Sequence, residues 1–535
     1  MSTHPQPTFQ TEGIAEYISK HNIESIISSS VNTILQDLPI DPYSSLYSIL
    51  KQHSLPLFTI TQISLINTYT TDFTEIPSLI FTLSYKGTTN TAYTLPLPFT
   101  STAYDLIKST NSNEIIFKTF TDIFESHFVN YVIESLDAFN TKLLSLTPSD
   151  NPIAFAIANA ISYGVLIAMS KIKNESFHVF IKDTYPRYIV NEASCIPNLG
   201  FSLFKTGKNA GSKVKFERFI LFINNNQHKL SKDTLVDIVN KIYVSLRKAL
   251  TSGKAGENGM RVNNEGSYFP PQDTLNDILK LIETIITEVN APEDALYIGI
   301  DCNANNYYNE QSKTYDIEGA KKAPDTDQTI DYYVKLVTEH PLIRYLEEPI
   351  AEVDVEGWEK IIDKFAEEKP NVTLWSKSKE SKQNNVVDNN EQQQDKANVD
   401  SEGNVDIKVD VLKTEPLPSN KIKQLETLSQ EDEKAKTEEG KNEQDGNDEE
   451  NNNMISFHIG DSKSFISMMK GIEMLKEEGE VNVTLWDNDY ETNQSSVVDI
   501  GIAIHADNII LNGLSLKENK LAKIIQYIET INELY

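Results

Sequence analysis

The spacing of apolar positions near the start of the chain is helical. Within residues 14–51, apolar side chains recur every three or four positions on one face of two short segments separated by a proline-containing break. The stripe contains Ile23, Ile27, Val31, Ile34, Leu38 and Leu46. Asp41 is placed to cap the second helix and Pro42 to occupy its first turn. Because helices this short do not bury an apolar face alone, we expect residues 1–54 to form a module that pairs with another helical surface.

The pattern changes to β-strand alternation from residue 55 to residue 99, which predicts a small antiparallel sheet. Helical spacing follows over Glu114–Phe139 and again over Ile153–Ser170. The second of these segments is apolar enough to suggest a membrane span at the lower length limit. We predict instead that Ile153–Ser170 is a helix buried in the protein, because it contains polar residues and Gly164 and has no basic flank on its N-terminal side. Residues 55–175 are therefore predicted to form an α+β domain.

Two short apolar runs, Tyr297–Ile300 and Leu342–Leu346, have the composition of buried parallel strands. Asp301 directly follows the first run and Glu347 directly follows the second. In a β/α barrel the functional site lies at the C-terminal ends of the strands, so acids placed there are candidate metal ligands. Carboxylate oxygens suit Mg²⁺. The pattern predicts Asp301 and Glu347 as a candidate Mg²⁺ site.

The composition changes abruptly over residues 376–453, where Lys, Glu, Asp, Asn, Gln and Ser dominate. Such a segment cannot bury enough apolar surface to offset its ordering entropy, and we predict an acidic disordered insertion. The predicted barrel is thus divided into residues 176–375 and 454–535.

The formal net charge of -30 and the pI of about 4.7 argue against a surface for nucleic acid or anionic membrane. Only 2 cysteines, Cys195 and Cys302, occur in the 535 residues, which predicts a reducing compartment without a disulfide framework.

The stretch IGIDCNANNYY, followed by LEEPI and a Gly-Trp pair, resembles the centre of enolase, the glycolytic lyase that dehydrates 2-phosphoglycerate. The resemblance extends with gaps from about Tyr85 to the C-terminus. It implies an enolase-like α/β fold, in which a small α+β N-terminal domain precedes a TIM-like β/α barrel. It also implies Mg²⁺ as cofactor, with Asp301 and Glu347 matching two of the three ligands of one metal ion.

Several functional positions of enolase carry other residues in this chain. Glu265 keeps the place of a catalytic acidic residue, and the place of the lysine base falls on His458. The third metal ligand falls within Trp375-Ser376-Lys377, which offers no carboxylate. The remaining replacements are Asn209, Arg218, Asp487, Asn488 and Leu511, at the places of a histidine, a glutamate, a histidine, an arginine and a second lysine. The resemblance therefore implies at most a remnant site.

The segment YISKHNIESIISSSVNTILQDLPIDPYSSLYSILK resembles the Dpy-30/RIIa dimerisation-docking family. The resemblance implies a dimeric four-helix bundle, formed as a homodimer or as a heterodimer with another Dpy-30/RIIa-type chain. Such a bundle receives an amphipathic helix from a partner. The alternative is an ordinary helical hairpin packed on the enolase-like body.

Two hypotheses for function follow. The first is a catalytically inactive enolase-like protein that serves as a structural or assembly component of a ciliary axonemal complex, such as a radial spoke or the central pair. This hypothesis places the chain in the cytoplasm, in the axoneme of a cilium or flagellum. The expected partner is an amphipathic helix of an axonemal protein, with no nucleic acid and no membrane.

The second hypothesis is an active Mg²⁺-dependent phosphopyruvate hydratase that supplies glycolysis in the cilium. Leu511 and Asp487 argue against it, because a leucine supplies no charge and an acid repels an anionic substrate.

Overall fold

The computed structural model describes seventeen stretches of the chain: residues 18–19, 22–52, 58–69, 75–86, 89–97, 113–148, 151–186, 189–190, 196–252, 256–263, 266–317, 322–377, 453–458, 464–478, 481–487, 496–514 and 518–534. Residues 378–452, which make up nearly all of the predicted insertion, lie outside the described residues, so the disorder of that segment stays a prediction.

Two short helices, Ile23–Asp37 and Pro42–Gln52, confirm the helical pattern at the start of the chain. The first ends at Leu38, which has a left-handed backbone with φ 44°. The Asp41 carboxylate accepts hydrogen bonds from the backbone N–H groups of Tyr43 and Ser44, both at 3.1 Å, as expected of an N-cap.

A four-stranded antiparallel sheet follows, in the order β3-β2-β1-β4. Its strands are β1 (Phe58–Tyr69), β2 (Glu75–Tyr85), β3 (Thr89–Pro96) and β4 (Tyr131–Ile133). The short β4 shows that a continuous helix over Glu114–Phe139 is a wrong prediction. The first helical stretch consists of an α-helix over Glu114–Phe120, a π-helix over Thr121–Glu125 and a last α-helical turn over Ser126–Phe128. A separate α-helix covers Leu136–Leu146. The chain leaves the first helix near Asn130, which has φ 57°, because the following residues form β4 and pair with β1. The Ser135 side chain then caps the N-terminus of the helix Leu136–Leu146.

The long apolar helix runs from Pro152 to Lys173 and packs against β2 and β3. It is long and apolar enough to cross a membrane by length and composition, yet 94% of its apolar window is buried inside the protein. The prediction of a buried helix is confirmed. A shorter helix, Phe177–Thr184, leads to the barrel.

A closed eight-stranded barrel makes up the rest of the described structure. Its strands, in chain order, are β5 (Asn198–Lys205), β6 (Arg218–Ile223), β7 (Leu296–Asp301), β10 (Ile343–Glu347), β11 (Thr373–Lys377), β12 (Asn453–His458), β13 (Val481–Trp486) and β14 (Asn508–Leu511). A small hairpin of β8 (Tyr308–Asn309) and β9 (Thr314–Tyr315) lies between β7 and β10. Strand β6 is antiparallel to both of its neighbours, and the other neighbouring pairs are parallel.

Helices of the barrel domain cover Asn225–His228, Lys232–Thr251, Leu275–Val289, Thr326–Glu339, Val355–Glu368, Phe465–Glu478, Ser496–Ala503 and Glu518–Leu534. A separate apolar cluster, supplied by six of the eight strands, consists of Ile220, Phe222, Tyr297, Tyr345, Trp375, Trp486 and Ile510. This is the layered filling expected inside a closed barrel. The predicted enolase-like α/β fold, a small α+β domain and a β/α barrel, is confirmed.

Candidate functional site at the mouth of the barrel

Strand direction brings the predicted acids together at one rim. Asp301, Glu347 and Lys377 are the last residues of three neighbouring parallel strands, β7, β10 and β11. Glu347 is the register partner of Asp301. Arg218 joins them because β6 runs in the opposite direction and therefore begins at the rim where the others end, opposite Asp301.

Both oxygens of Asp301 contact side-chain cations. The Nζ atom of Lys377 lies 3.1 Å from Oδ1, and an Nη atom of Arg218 lies 3.3 Å from Oδ2. Asp301 is fully buried, so these two ion pairs compensate a charge that water cannot reach. The Arg218 guanidinium also lies 5.0 Å from the centre of the Trp486 ring, in a cation–π arrangement.

Glu347 is held by neutral donors on the next strands. Its Oε1 accepts hydrogen bonds from Trp486 Nε1, at 3.1 Å, and from the Ser456 hydroxyl. Its Oε2 is buried without a hydrogen-bond partner in the described part of the chain. Burial raises the pKa of Glu347 to about 7, and the neighbouring Asp301 charge adds to the rise while Lys377 opposes it.

Lys377 remains an ammonium group in this setting. Burial by itself would lower its pKa, but Asp301, Glu347 and Glu348 outweigh burial and raise the pKa above its ordinary value. The backbone N–H of Lys377 donates to Glu348 Oε1 at 3.3 Å, and Asn305 donates to Glu348 Oε2 at 2.8 Å. The lysine is thus fixed through its backbone as well as its side chain.

Two further ion pairs lie near this rim. Lys205, at the end of β5, pairs with Glu217 at 2.8 Å, and both side chains are buried. Asp487, which follows β13, pairs with Lys523 of the C-terminal helix. The Lys523 side chain is 0% exposed and that of Asp487 is 3% exposed. The expectation that Asp487 confronts a substrate as an uncompensated acid is therefore wrong, because its charge is neutralised within the protein.

The remaining predicted positions divide into two groups. Glu265 and the side chains of His458 and Asn209 lie outside the described residues, so a catalytic role for Glu265 or His458 stays a prediction. Leu511 ends β14 and is buried, in agreement with its apolar character.

The sequence pattern did not indicate the partners of the two acids: the Lys377 ammonium, the Ser456 hydroxyl and the Trp486 indole. The position of Lys377 could have been predicted from the sequence, because it ends a strand as Asp301 and Glu347 do.

The residues at the rim do not fit a Mg²⁺ ion. Mg²⁺ requires oxygen ligands in near-octahedral geometry at about 2.0–2.1 Å. Here the oxygens of Asp301 bind two cationic side chains, and one oxygen of Glu347 is used by Ser456 and Trp486. Among the residues that the structure describes, no group of three or more His, Cys, Asp or Glu side chains is arranged to hold a metal ion.

The raised pKa of Glu347 leads to a prediction about stability. Its folded-state pKa of about 7 exceeds the value of about 4.3 for a free glutamate, so folding favours the protonated acid. Stability from this group is present at low pH and is lost as the pH rises from about 4.3 through about 7. The free energy of unfolding of Glu347→Gln, relative to that of the unsubstituted protein, is therefore expected to increase by roughly 2–3 kcal/mol as the pH rises from 5 to 8. Urea denaturation at the two pH values measures this change.

The control is Glu359→Gln, at an exposed position on the helix Val355–Glu368. We expect this change to leave the pH dependence as it is. If the stability difference between Glu347→Gln and the unsubstituted protein is the same at pH 5 and pH 8, the raised pKa of Glu347 is contradicted.

Comparisons with known proteins agree with this architecture. Residues 193–372 match the family described as "Enolase, C-terminal TIM barrel domain". The enolase of Metallosphaera sedula is 28% identical over 163 residues, which are 30% of this chain and 36% of that enolase. The enolase of Sulfurisphaera tokodaii is 28% identical over 213 residues, 39% of this chain and 46% of that enolase. The enolase of Sulfolobus acidocaldarius is 26% identical over 238 residues, 44% of this chain and 53% of that enolase.

The chain therefore spans about a third to about half of the length of these curated relatives. The matched family segment contains β5, β6, β7 and β10, and with them Arg218, Asp301 and Glu347. Lys377 lies just beyond it. The matched barrel domain, the distant enolases and the closed eight-stranded barrel together agree with an enolase-like α/β fold.

Proposed function

We propose that this chain is a catalytically inactive member of the enolase family that works as a structural or assembly component of a ciliary axonemal complex. Its barrel serves as a rigid body, and its N-terminal helices serve for dimerisation and docking. The partner is an amphipathic helix of an axonemal protein. A cytoplasmic location is consistent with the enolase relatives, and the axoneme of a cilium or flagellum is the specific site that we propose.

The observation that carries the inactive assignment is the ion pairing of Asp301. The enolase reaction removes a carbon-bound proton and builds negative charge that must be stabilised locally, a task for which the family uses Mg²⁺. In this chain Lys377 and Arg218 already compensate the negative charge of the Asp301 carboxylate. A lysine ammonium neutralises charge but offers no open coordination position for a substrate oxygen.

The surface of the N-terminal helices supports the assembly role. None of the apolar side chains described in residues 22–52 is buried. Within the predicted stripe, Ile27, Val31 and Leu38 are 49%, 41% and 78% exposed. Contiguous apolar surface of this kind marks an interaction site, and a second copy of the same two helices is the occupant that we propose.

The turnover assay tests this proposal. The purified full chain, given 2-phosphoglycerate and excess Mg²⁺, is expected to form no phosphoenolpyruvate above the blank, measured by the absorbance of the product. An ordinary enolase in the same buffer is the positive control.

Turnover within about a hundredfold of that control, abolished by Asp301→Asn, would establish the alternative of an active phosphopyruvate hydratase and reject the proposal. Turnover that is equal in the Asp301→Asn variant does not come from this site and leaves the proposal standing.

A further inference from the structure

The rim of the barrel holds a fixed cation next to the two acids that most resemble metal ligands. We propose that Lys377, assisted by Arg218, is a built-in substitute for a metal ion: its ammonium neutralises the Asp301–Glu347 pair and excludes divalent cations from the rim. This inference goes beyond the proposed lack of turnover, because a barrel can lack activity and still bind a metal.

Geometry gives the first argument. Lys377 Nζ lies 3.1 Å from Asp301 Oδ1, while Arg218 contacts Oδ2 at 3.3 Å. A divalent ion bound to either oxygen at the usual metal–oxygen distance would lie close to one of these cations. Like charges at such a distance repel strongly in a poorly solvated site, and the Asp301 carboxylate is 0% exposed. Metal binding would require Lys377 to leave its place.

The charge balance gives the second argument. Three acids meet at this part of the rim, Asp301, Glu347 and Glu348, and two cations face them. Lys377 and Arg218 thus compensate two of the three acid charges. The cluster is then close to neutral without a metal. A divalent ion would add two positive charges to a cluster that is already compensated.

The connections of the cluster give the third argument. Arg218, Asp301 and Lys377 belong to β6, β7 and β11. Glu347 of β10 accepts hydrogen bonds from Ser456 of β12 and Trp486 of β13. The Arg218 guanidinium lies over the Trp486 ring and links these two groups, so side chains join six of the eight barrel strands at the rim. A buried network with its charges paired holds these strand ends together, as a bound metal would do elsewhere.

The test restores a carboxylate where the lysine stands. Full-length protein, Lys377→Asp and the control Lys280→Asp are titrated with Mn²⁺, and free Mn²⁺ is measured by electron paramagnetic resonance. Lys280 is exposed on the helix Leu275–Val289, so the control makes the same change in net charge away from the rim. We expect Lys377→Asp to gain one Mn²⁺ site that binds at least about a hundredfold more tightly than any site in the other two proteins. Mg²⁺ should compete for that site, and adding Asp301→Asn should remove it.

Two outcomes would overturn the proposal. One is a Mn²⁺ site in the unsubstituted chain that is about as tight as in Lys377→Asp and is lost with Asp301→Asn. The other is a folded Lys377→Asp protein, shown by a cooperative melt, that binds no more Mn²⁺ than the Lys280→Asp control. If Lys377→Asp does not fold, Lys377→Gln takes its place, since it removes the cation without adding an acid, and the same two outcomes apply. Tight Mn²⁺ binding by the unsubstituted chain, without turnover, would reject this inference and leave the proposed lack of activity intact.

Discussion

The full chain is expected to self-associate, and replacing Ile27 with aspartate is expected to make it a monomer. Ile27 lies on the first N-terminal helix and is 49% exposed, on the same stripe as Val31 and Leu38. Burial of such a side chain is worth roughly 1.5–3 kcal/mol, and a symmetric dimer buries two copies. An aspartate would lose that gain and add a charge to be desolvated, so self-association should weaken by about a hundredfold or more. Sedimentation velocity of the full chain over a range of concentrations measures the effect.

Asn32→Asp is the matched control, because Asn32 is exposed on the same helix and the substitution introduces the same charge. It should leave association within a few fold. A chain that is monomeric without any substitution, or one whose association is equal in both variants, would contradict a dimer formed through this stripe. It would favour the alternative of a helical hairpin that belongs to the enolase-like body.

We expect the proposed axonemal incorporation to depend on the same stripe. A tagged full chain expressed in a ciliated cell should remain with the axoneme after detergent removes the membrane. The Ile27→Asp chain should be extracted, while the Asn32→Asp chain should be retained. Retention of all three would show that the N-terminal helices do not attach the protein.

Replacing Lys523 with methionine is expected to destabilise the barrel severely. Lys523 is fully buried, and its ammonium pairs with Asp487 at the end of β13. Removing one partner of a buried ion pair takes away the compensation that it gave to the other charge, which costs about 3–5 kcal/mol. The free energy of unfolding should fall by this amount in urea denaturation followed by tryptophan fluorescence. Trp486 is the residue next to Asp487, so the probe reports on this part of the barrel.

The double variant Asp487→Asn, Lys523→Met should be more stable than Lys523→Met alone, because it removes the buried acid together with its cation. Lys470→Met, at an exposed position on the helix Phe465–Glu478, controls for the loss of a lysine and should change stability little. Equal losses for the single and double variants would show that the pair acts through packing rather than through charge.

Much of the architecture was predictable because it depends on local periodicity. Apolar residues at helical spacing placed the two N-terminal helices, and the short apolar runs placed β7 and β10 to within two residues. The position of an acid directly after each run then placed Asp301 and Glu347 at the rim. The break at Asn130 was not predictable in this way, because β4 forms only by pairing with β1, about seventy residues earlier in the chain.

The sequence by itself therefore determined the two N-terminal helices, the strands β7 and β10 and the identity of the strand-end acids. It also determined the apolar stripe of the N-terminal helices, since spacing along the chain decides which side chains share a face. Only the tertiary structure determined which acidic side chain pairs with which cationic side chain. Lys377 reaches Asp301, and Lys523 reaches Asp487, because barrel closure and strand register bring together residues from separate elements. The same residue types can form a metal site or a metal-free ionic cluster, and the choice depends on these long-range distances, which local spacing does not encode.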